Sequence, residues 1–252
     1  MKHLKKKYWL AIKVLAIVLV LIVIKFAMHS YGYEYIELTS LFSAVVGGAI
    51  FLIGFILAGT MADYKESEKI PSEIASSLEN ILQEGIFAKS TKPKFDLDSH
   101  KKRLLDIVHS FREDLRFTGR KKKTIESVSK LTDSTIEMDN LGISPNYVSR
   151  IKTEQANITK HVLRAFQIKE TSFIPAAYAI VEVMSAFMIT GLMLLKLEPF
   201  ITSLILLSIV VYIFLYMILF IKDLDDPFEE GGYADVDMFL LDEFEKKVTN
   251  KN

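Results

Sequence analysis

The sequence predicts an all-α membrane protein: four transmembrane helices in two hairpins, with a cytoplasmic helical domain between them. Three observations carry this expectation. Half of the 252 residues are apolar, and they gather in long blocks toward the two ends of the chain. Charged residues fill the middle. Basic residues beside the apolar blocks are concentrated before the first block and in the middle segment, as the positive-inside rule expects of a multi-pass protein.

The blocks are long enough to span. A bilayer core of about 30 Å takes roughly 20 residues at a rise of 1.5 Å each. Trp9 to Met28 contains only Lys13 and Lys25 as charges. A signal peptide is the competing reading of this segment, but it is long and His29-Ser30-Tyr31 is a poor cleavage site. Leu41 to Ala62 is uncharged and carries Gly47, Gly48, Gly54 and Gly59. The third span covers Phe173 to Leu195 and is interrupted by Glu182; the fourth covers Pro199 to Ile221 without a charge. Lys196-Leu197-Glu198 leaves room only for a tight hairpin between them.

Lys2, Lys5, Lys6 and Lys7 place the N-terminus in the cytoplasm. His29 to Ser40 holds Glu34 and Glu37 but no Lys or Arg, and is expected outside; the C-terminus then returns inside. Tyr31, Tyr33 and Tyr35 fit an outer aromatic belt, and Tyr8 and Trp9 an inner one. The expected organisation is a first hairpin (1–62), a cytoplasmic helical domain (63–171), a second hairpin (172–222) and an acidic tail (223–252), multi-pass in the plasma membrane.

The middle reads as amphipathic helices. One starts at Pro71 with Gly85 as its stop; a second covers Ser99 to Phe117, and Gly119 breaks it. A third covers Lys123 to Leu141, a turn occupies Gly142 to Pro145, and a fourth starts near Pro145. Ala62 to Pro71 has charges at alternate and adjacent places, which reads as a solvated helix face.

Composition excludes several classes. With no Cys there is no disulfide and no thiolate metal site; 31 basic residues balance 31 acidic ones, so net charge says nothing about a partner. No phosphate loop, HExxH or nucleophile elbow occurs, so no enzyme is expected. The five His residues are scattered and read as solvated or structural. The basic run Gly119-Arg120-Lys121-Lys122-Lys123 could touch anionic lipid, but reads first as a solvated loop; no nucleic-acid partner is expected.

Four constellations remain. Glu182 lies within a span, where an ionisable group usually faces a bundle interior or aqueous cavity, making it a candidate pore or gating charge. Gly54, Ala58 and Ala62 form a small-residue face suited to close helix packing. Phe51 and Phe55 share a face that should then point elsewhere, toward lipid or toward a lumen they could gate by dewetting. Asp226-Pro227-Phe228, with Asp235 and Asp237 beyond, is an acidic element that could pair with basic cytoplasmic helices or hold Ca²⁺ weakly through oxygens. Glu34 and Glu37 would bias toward cations if they ringed an entrance.

Together these residues resemble the bestrophin family of ion channels, in its shorter bacterial form or a divergent relative. The two-hairpin architecture matches. So does the second span, with Phe51 and Gly54-Phe55 followed about sixteen residues later by Pro71. So does the Asp226-Pro227-Phe228 element after the last span, with Asp235 and Asp237 beyond it. Two departures stand out: Gly47 occupies the place of a third large neck residue, and Ala62-Asp63-Tyr64-Lys65 replaces an aromatic stretch with Arg. The resemblance implies a homopentamer with one central pore lined by the second helix of each subunit. Phe51 and Phe55 would form its hydrophobic neck, and the Asp226-Pro227-Phe228 tail would brace the cytoplasmic domain against a neighbouring subunit. It implies a passive conductor of inorganic ions that needs no cofactor, and it carries over neither ion selectivity nor the Ca²⁺ clasp of animal members. The alternative is a non-conducting membrane scaffold or sensor whose cytoplasmic helices bind a partner.

Overall fold

The computed structural model describes residues 2–116, 122–170, 175–228 and 234–250, with backbone alone at 2–7 and 175–177. In chain order the elements are α1 (Lys2–Ser30), β1 (Ile36–Glu37), α2 (Ser40–Ser67), α3 (Ile70–Thr91), α4 (Leu97–Leu115), α5 (Lys122–Ser129), α6 (Leu131–Asn140), α7 (Pro145–Glu170), α8 (Pro175–Leu194), β2 (Leu195–Lys196), α9 (Phe200–Asp225) and α10 (Phe239–Thr249). They form two compact units. One holds Met1–Ala62 and Ser172–Asp225; the other holds Asp63–Thr171 and Asp226–Asn252.

The first unit is predominantly apolar. Tyr8–Ser30 of α1, the apolar stretch of α2, and α9 are each long and apolar enough to cross a membrane. Helix is the form such sequences must take, since hydrocarbon offers backbone N–H and C=O groups no partner outside the segment. α8 is apolar over Tyr178–Leu194 but shorter among the described residues, and the expected start at Phe173 lies outside them. Two clusters hold the unit together. Val14 and Val18 of α1 meet Leu192 and Met193 of α8 and Leu207 and Val211 of α9. Ala49, Ile53 and Ile56 of α2 meet Val181 and Met188 of α8 and Phe214 and Ile221 of α9. Phe42 of α2 packs so closely on Gly191 that a Cβ there would lie 2.9 Å from its ring.

α1 ends in a Schellman motif. Gly32 sits at φ +73°, the left-handed conformation that glycine adopts without a Cβ penalty. Tyr33 N–H donates to Met28 O at 2.9 Å and Gly32 N–H to His29 O at 3.1 Å. The chain therefore doubles back over the end of α1. Ile36–Glu37 then pairs in parallel with Leu195–Lys196, an element that the sequence does not signal because two residues carry no periodicity.

The second unit is a helical domain with its own core, built around Ile74, Leu78, Ile81, Leu104, Ile107, Phe111, Ile151, Ile158, Val162 and Phe166. Its helices depart from the sequence expectation in three places. Gly85 is not a stop: α3 continues to Thr91. Glycine is required there because the buried His100 ring lies against its Cα, and a Cβ would collide with His100 Cδ2. The single helix expected over Lys123 to Leu141 is two, α5 and α6, divided at Lys130. The Asp63–Ser67 end of α2 is not a purely solvated face. Arg164 of α7 forks onto Glu66, Nε to Oε1 at 2.8 Å and Nη2 to Oε2 at 2.5 Å, and lies 3.6 Å from Asp63. Tyr64 packs on the core.

Local hydrogen bonding fixes the rest. Asp96 caps α4 by accepting from Ser99 N–H at 3.0 Å. Buried Asp114 accepts from Thr124 N–H and Thr124 Oγ1, both at 2.8 Å, anchoring the start of α5 to α4. Gly142, at φ +70°, ends α6 in a second Schellman motif. Of the basic run, Gly119 to Lys121 lie outside the described residues; Lys123 pairs with Glu113.

His100 makes this core sensitive to acid. Its ring contacts Ser134 Oγ at 3.0 Å and Ile81 O at 3.2 Å, and burial pushes its pKa down to about 4. The fold thus favours the neutral ring. Its contribution is intact above the ordinary value of about 6.5 and is lost as pH falls from there toward 4, a loss of roughly 3 kcal/mol. Thermal unfolding of the solubilised chain should show the midpoint falling across this window, with a shallower fall in His100→Gln.

Candidate functional site: the open face of α2 and the cluster at Lys25

α2 has two unlike sides. Ala49, Ile53, Ile56 and Thr60 are buried against the rest of the first unit. Gly47, Phe51, Gly54, Phe55, Ala58 and Ala62 are exposed. At 100° per residue all six fall within one arc about 100° wide. Phe51 is 75% and Phe55 66% exposed, and nothing lies within 4 Å of a Cβ built on Gly47 or Gly54. This corrects the expectation that the phenyl rings point away from the small residues. The spacing 51, 54, 55, 58, 62 puts them on a single stripe, which the chain itself leaves uncovered.

Glu182 is half-exposed on α8, and its Oε1 lies 2.5 Å from Lys222 Nζ near the end of α9. The carboxylate is therefore neutralised by a neighbouring helix rather than held as a lone charge.

The tail is partly folded into the second unit. Pro227 and Phe228 are buried, and Val236 N–H donates to Pro227 O at 2.9 Å. Asp235 is half-buried beside a cavity walled by Arg112, Leu115, Phe228 and Val236, and Asp237 accepts from Phe239 N–H at 2.8 Å. α10 lies on α3 and α4: Arg112 pairs with Asp242 and, at 2.5 Å, with Glu245, which also meets His109 at 2.9 Å. These contacts hold the Glu245 carboxyl below the usual carboxylate range, hydrogen bonding to His109 and Arg112 being the main cause. The pairing of acidic tail with basic helix runs chiefly through Asp242 and Glu245. Among the described residues no three His, Asp or Glu side chains come together as a metal site. Glu229 and Glu230 lie outside the described residues.

The most constrained polar group in the first unit is one that sequence reasoning passed over as a charge within a span. Lys25 is 0% exposed. Its ammonium has three donors and three acceptors around it: Met193 O at 3.1 Å, Leu195 O at 2.5 Å and Glu34 Oε1 at 2.5 Å. Met193 O lies in the last turn of α8 and Leu195 O in β2 just beyond it, where no intrahelical partner exists and a cation also suits the helix dipole. Glu34, its side chain 5% exposed, binds His29 Nδ1 at 2.7 Å through its other oxygen, and His29 stacks on Phe200 with ring centres 3.8 Å apart. Burial raises the Glu34 pKa, but hydrogen bonds and charge from His29 and Lys25 outweigh it and hold the carboxyl below its usual range. Glu34 is thus not an entrance charge facing solvent; of the two acids in this loop only Glu37 is exposed. The signal available in the sequence was a lysine late in an apolar helix, followed nine residues on by an acid.

Removing the ammonium leaves a buried carboxylate and two carbonyls unmet. Lys25→Met should therefore cost about 3–5 kcal/mol, read as a lower thermal midpoint in detergent. Adding Glu34→Gln to it should recover part of the loss.

No family model and no curated protein matches this chain. Solved structures do. A bacterial bestrophin homolog from Klebsiella pneumoniae superposes with TM-score 0.79 at 12% identity, over 94% of this chain and 97% of that one. Two single-substitution variants of a bestrophin homolog from the same organism match with TM-scores of 0.79 and 0.73, each at 14% identity, over 94% and 96% of this chain and 98% and 97% of theirs. At this identity the likeness is one of fold, and it extends over nearly the whole of both chains: this is an all-α integral membrane protein with the fold of the bacterial bestrophin homologues.

Proposed function

We propose that this chain is one subunit of a passive ion channel, with α2 lining a central pore and Phe51 and Phe55 forming its hydrophobic neck. The observation that carries this reading is the open stripe of α2. A helix apolar enough to cross a membrane buries one side in its own subunit and leaves Gly47, Phe51, Gly54, Phe55, Ala58 and Ala62 uncovered on the other. Small residues at Gly54, Ala58 and Ala62 let identical helices approach one another around an axis, and apolar rings can gate by dewetting. The bestrophin fold supports a homopentameric arrangement and inorganic ions as the transported species.

In this reading α8 is the third span and α9 the fourth, the protein sits in the plasma membrane, and both termini lie in the cytoplasm. Lys2, Lys5, Lys6 and Lys7 before α1, and the absence of Lys and Arg between His29 and Ser40, support that orientation. Glu182 and Lys222 then form a neutral pair near the cytoplasmic ends of α8 and α9, outside the conduction path. The tail, through Pro227 and Phe228, braces the cytoplasmic unit. The function requires no catalytic group and no cofactor.

Two measurements test this. Class averages of the purified particle in detergent should show five-fold symmetry; a monomer or dimer would remove the shared pore and favour the scaffold reading. In planar bilayers the double variant Phe51→Ala, Phe55→Ala should raise conductance several-fold, and an unchanged conductance would show the neck to lie elsewhere.

A further inference from the structure

We propose that Lys25, Glu34 and His29 form a proton-operated latch: the charged Glu34 carboxylate fastens the α1–α2 loop to the end of α8, and proton uptake by Glu34 releases it.

The geometry assigns each part. The segment from Tyr33 to Thr39 is short of fastenings. Tyr35 N–H donates to Leu194 O at 3.0 Å, and Ile36–Glu37 pairs with Leu195–Lys196 over only two residues. Tyr31, Tyr33, Tyr35 and Leu38 are exposed and Ile36 is only partly buried against the core, so the loop gains little from apolar burial. Glu34 is the exception. It reaches inward to a fully buried ammonium on α1 and sideways to His29, and the ammonium is itself bound to α8. One carboxylate therefore connects the loop to two helices. While it is charged, opening the loop would strand Lys25 in an apolar surround without its counter-ion, which is costly. Once it is protonated that penalty falls away, and what remains is the two-residue pairing, the backbone hydrogen bonds of Tyr33 and Tyr35 and the partial burial of Ile36.

The other charged groups on the packed elements do not substitute for Glu34. Glu37 of β1 and Lys196 of β2 are exposed and face each other across the strand pair, and Glu198 before α9 is exposed. Phe200 of α9 covers one face of His29 with an apolar ring. Because the folded-state pKa of Glu34 lies below the ordinary carboxylate value, the latch holds above about pH 4.5 and is lost as pH falls through that lower value. The latch stands on the geometry of the first unit and does not depend on where a pore lies.

The chain has no cysteine, so one introduced thiol is a unique reporter. Tyr35→Cys, at an exposed position, would carry a nitroxide spin label on the full chain in lipid nanodiscs, with line shape followed from pH 8 to pH 3. The expected result is an immobile loop at neutral pH, with a mobile component growing from a minor to the major part of the spectrum in acid. Adding Glu34→Gln should give the mobile spectrum already at pH 7 and abolish the transition. Adding His29→Gln keeps the carboxylate and the buried ammonium, and should move the transition to higher pH by removing a group that holds the Glu34 proton off. A label that stays immobile to pH 3 in the parent, or a transition that His29→Gln leaves in place, would overturn the latch even if Glu34→Gln failed to fold.

Discussion

A carbonyl at the end of a helix in hydrocarbon has no water to turn to, and the first unit is organised around that constraint. Within α1, α2, α8 and α9 the backbone satisfies itself. At the ends it cannot, and the structure brings in whatever donor is nearest. α1 closes on itself through Gly32. α8 closes on Lys25, a residue 168 positions earlier in the chain. That one ammonium joins the two hairpins by the polar groups that apolar packing leaves behind, and the buried charge then requires Glu34, which in turn fixes the path of the loop.

The same logic divides the two sides of α2. Its inner side is filled by α8 and α9, and further packing there would meet Phe42 already seated on Gly191. Its outer side presents two exposed phenyl rings among glycine and alanine. In the proposed channel, small residues on that stripe would let identical helices approach while the rings kept a bounded space between them. The second unit solves a different problem. It is rich in ion pairs, but the apolar core and the neutral, buried His100 hold its helices in register, and pairs such as Arg164 with Glu66 secure their ends.

Much of the site was readable as residues and little of it as geometry. Phe51, Phe55, Gly54, Ala58 and Ala62 could be picked out because helical spacing is fixed by the backbone. Their separation into two faces was an error of arithmetic that the 100° step resolves. The tail was legible as acidic and as complementary to basic helices, but which acids serve was not: Asp242 and Glu245 fall on α10 and meet Arg112, whereas Asp226 precedes that helix. Gly85 misled for a physical reason. Glycine ends helices when a left-handed residue is needed, yet here it is helical and exists to admit an imidazole from α4.

By itself the sequence determined that the chain is helical, that its ends are apolar enough for a membrane, and that a charged helical segment separates them. These follow from local composition and period, which each segment carries within itself. Only the tertiary structure decided that α8 is held by a lysine of α1, that the Glu34 side chain is buried rather than displayed, and that the outer stripe of α2 is left uncovered by the rest of the chain. Those depend on which segments meet at distances of a few ångströms, and no spacing along the chain records that.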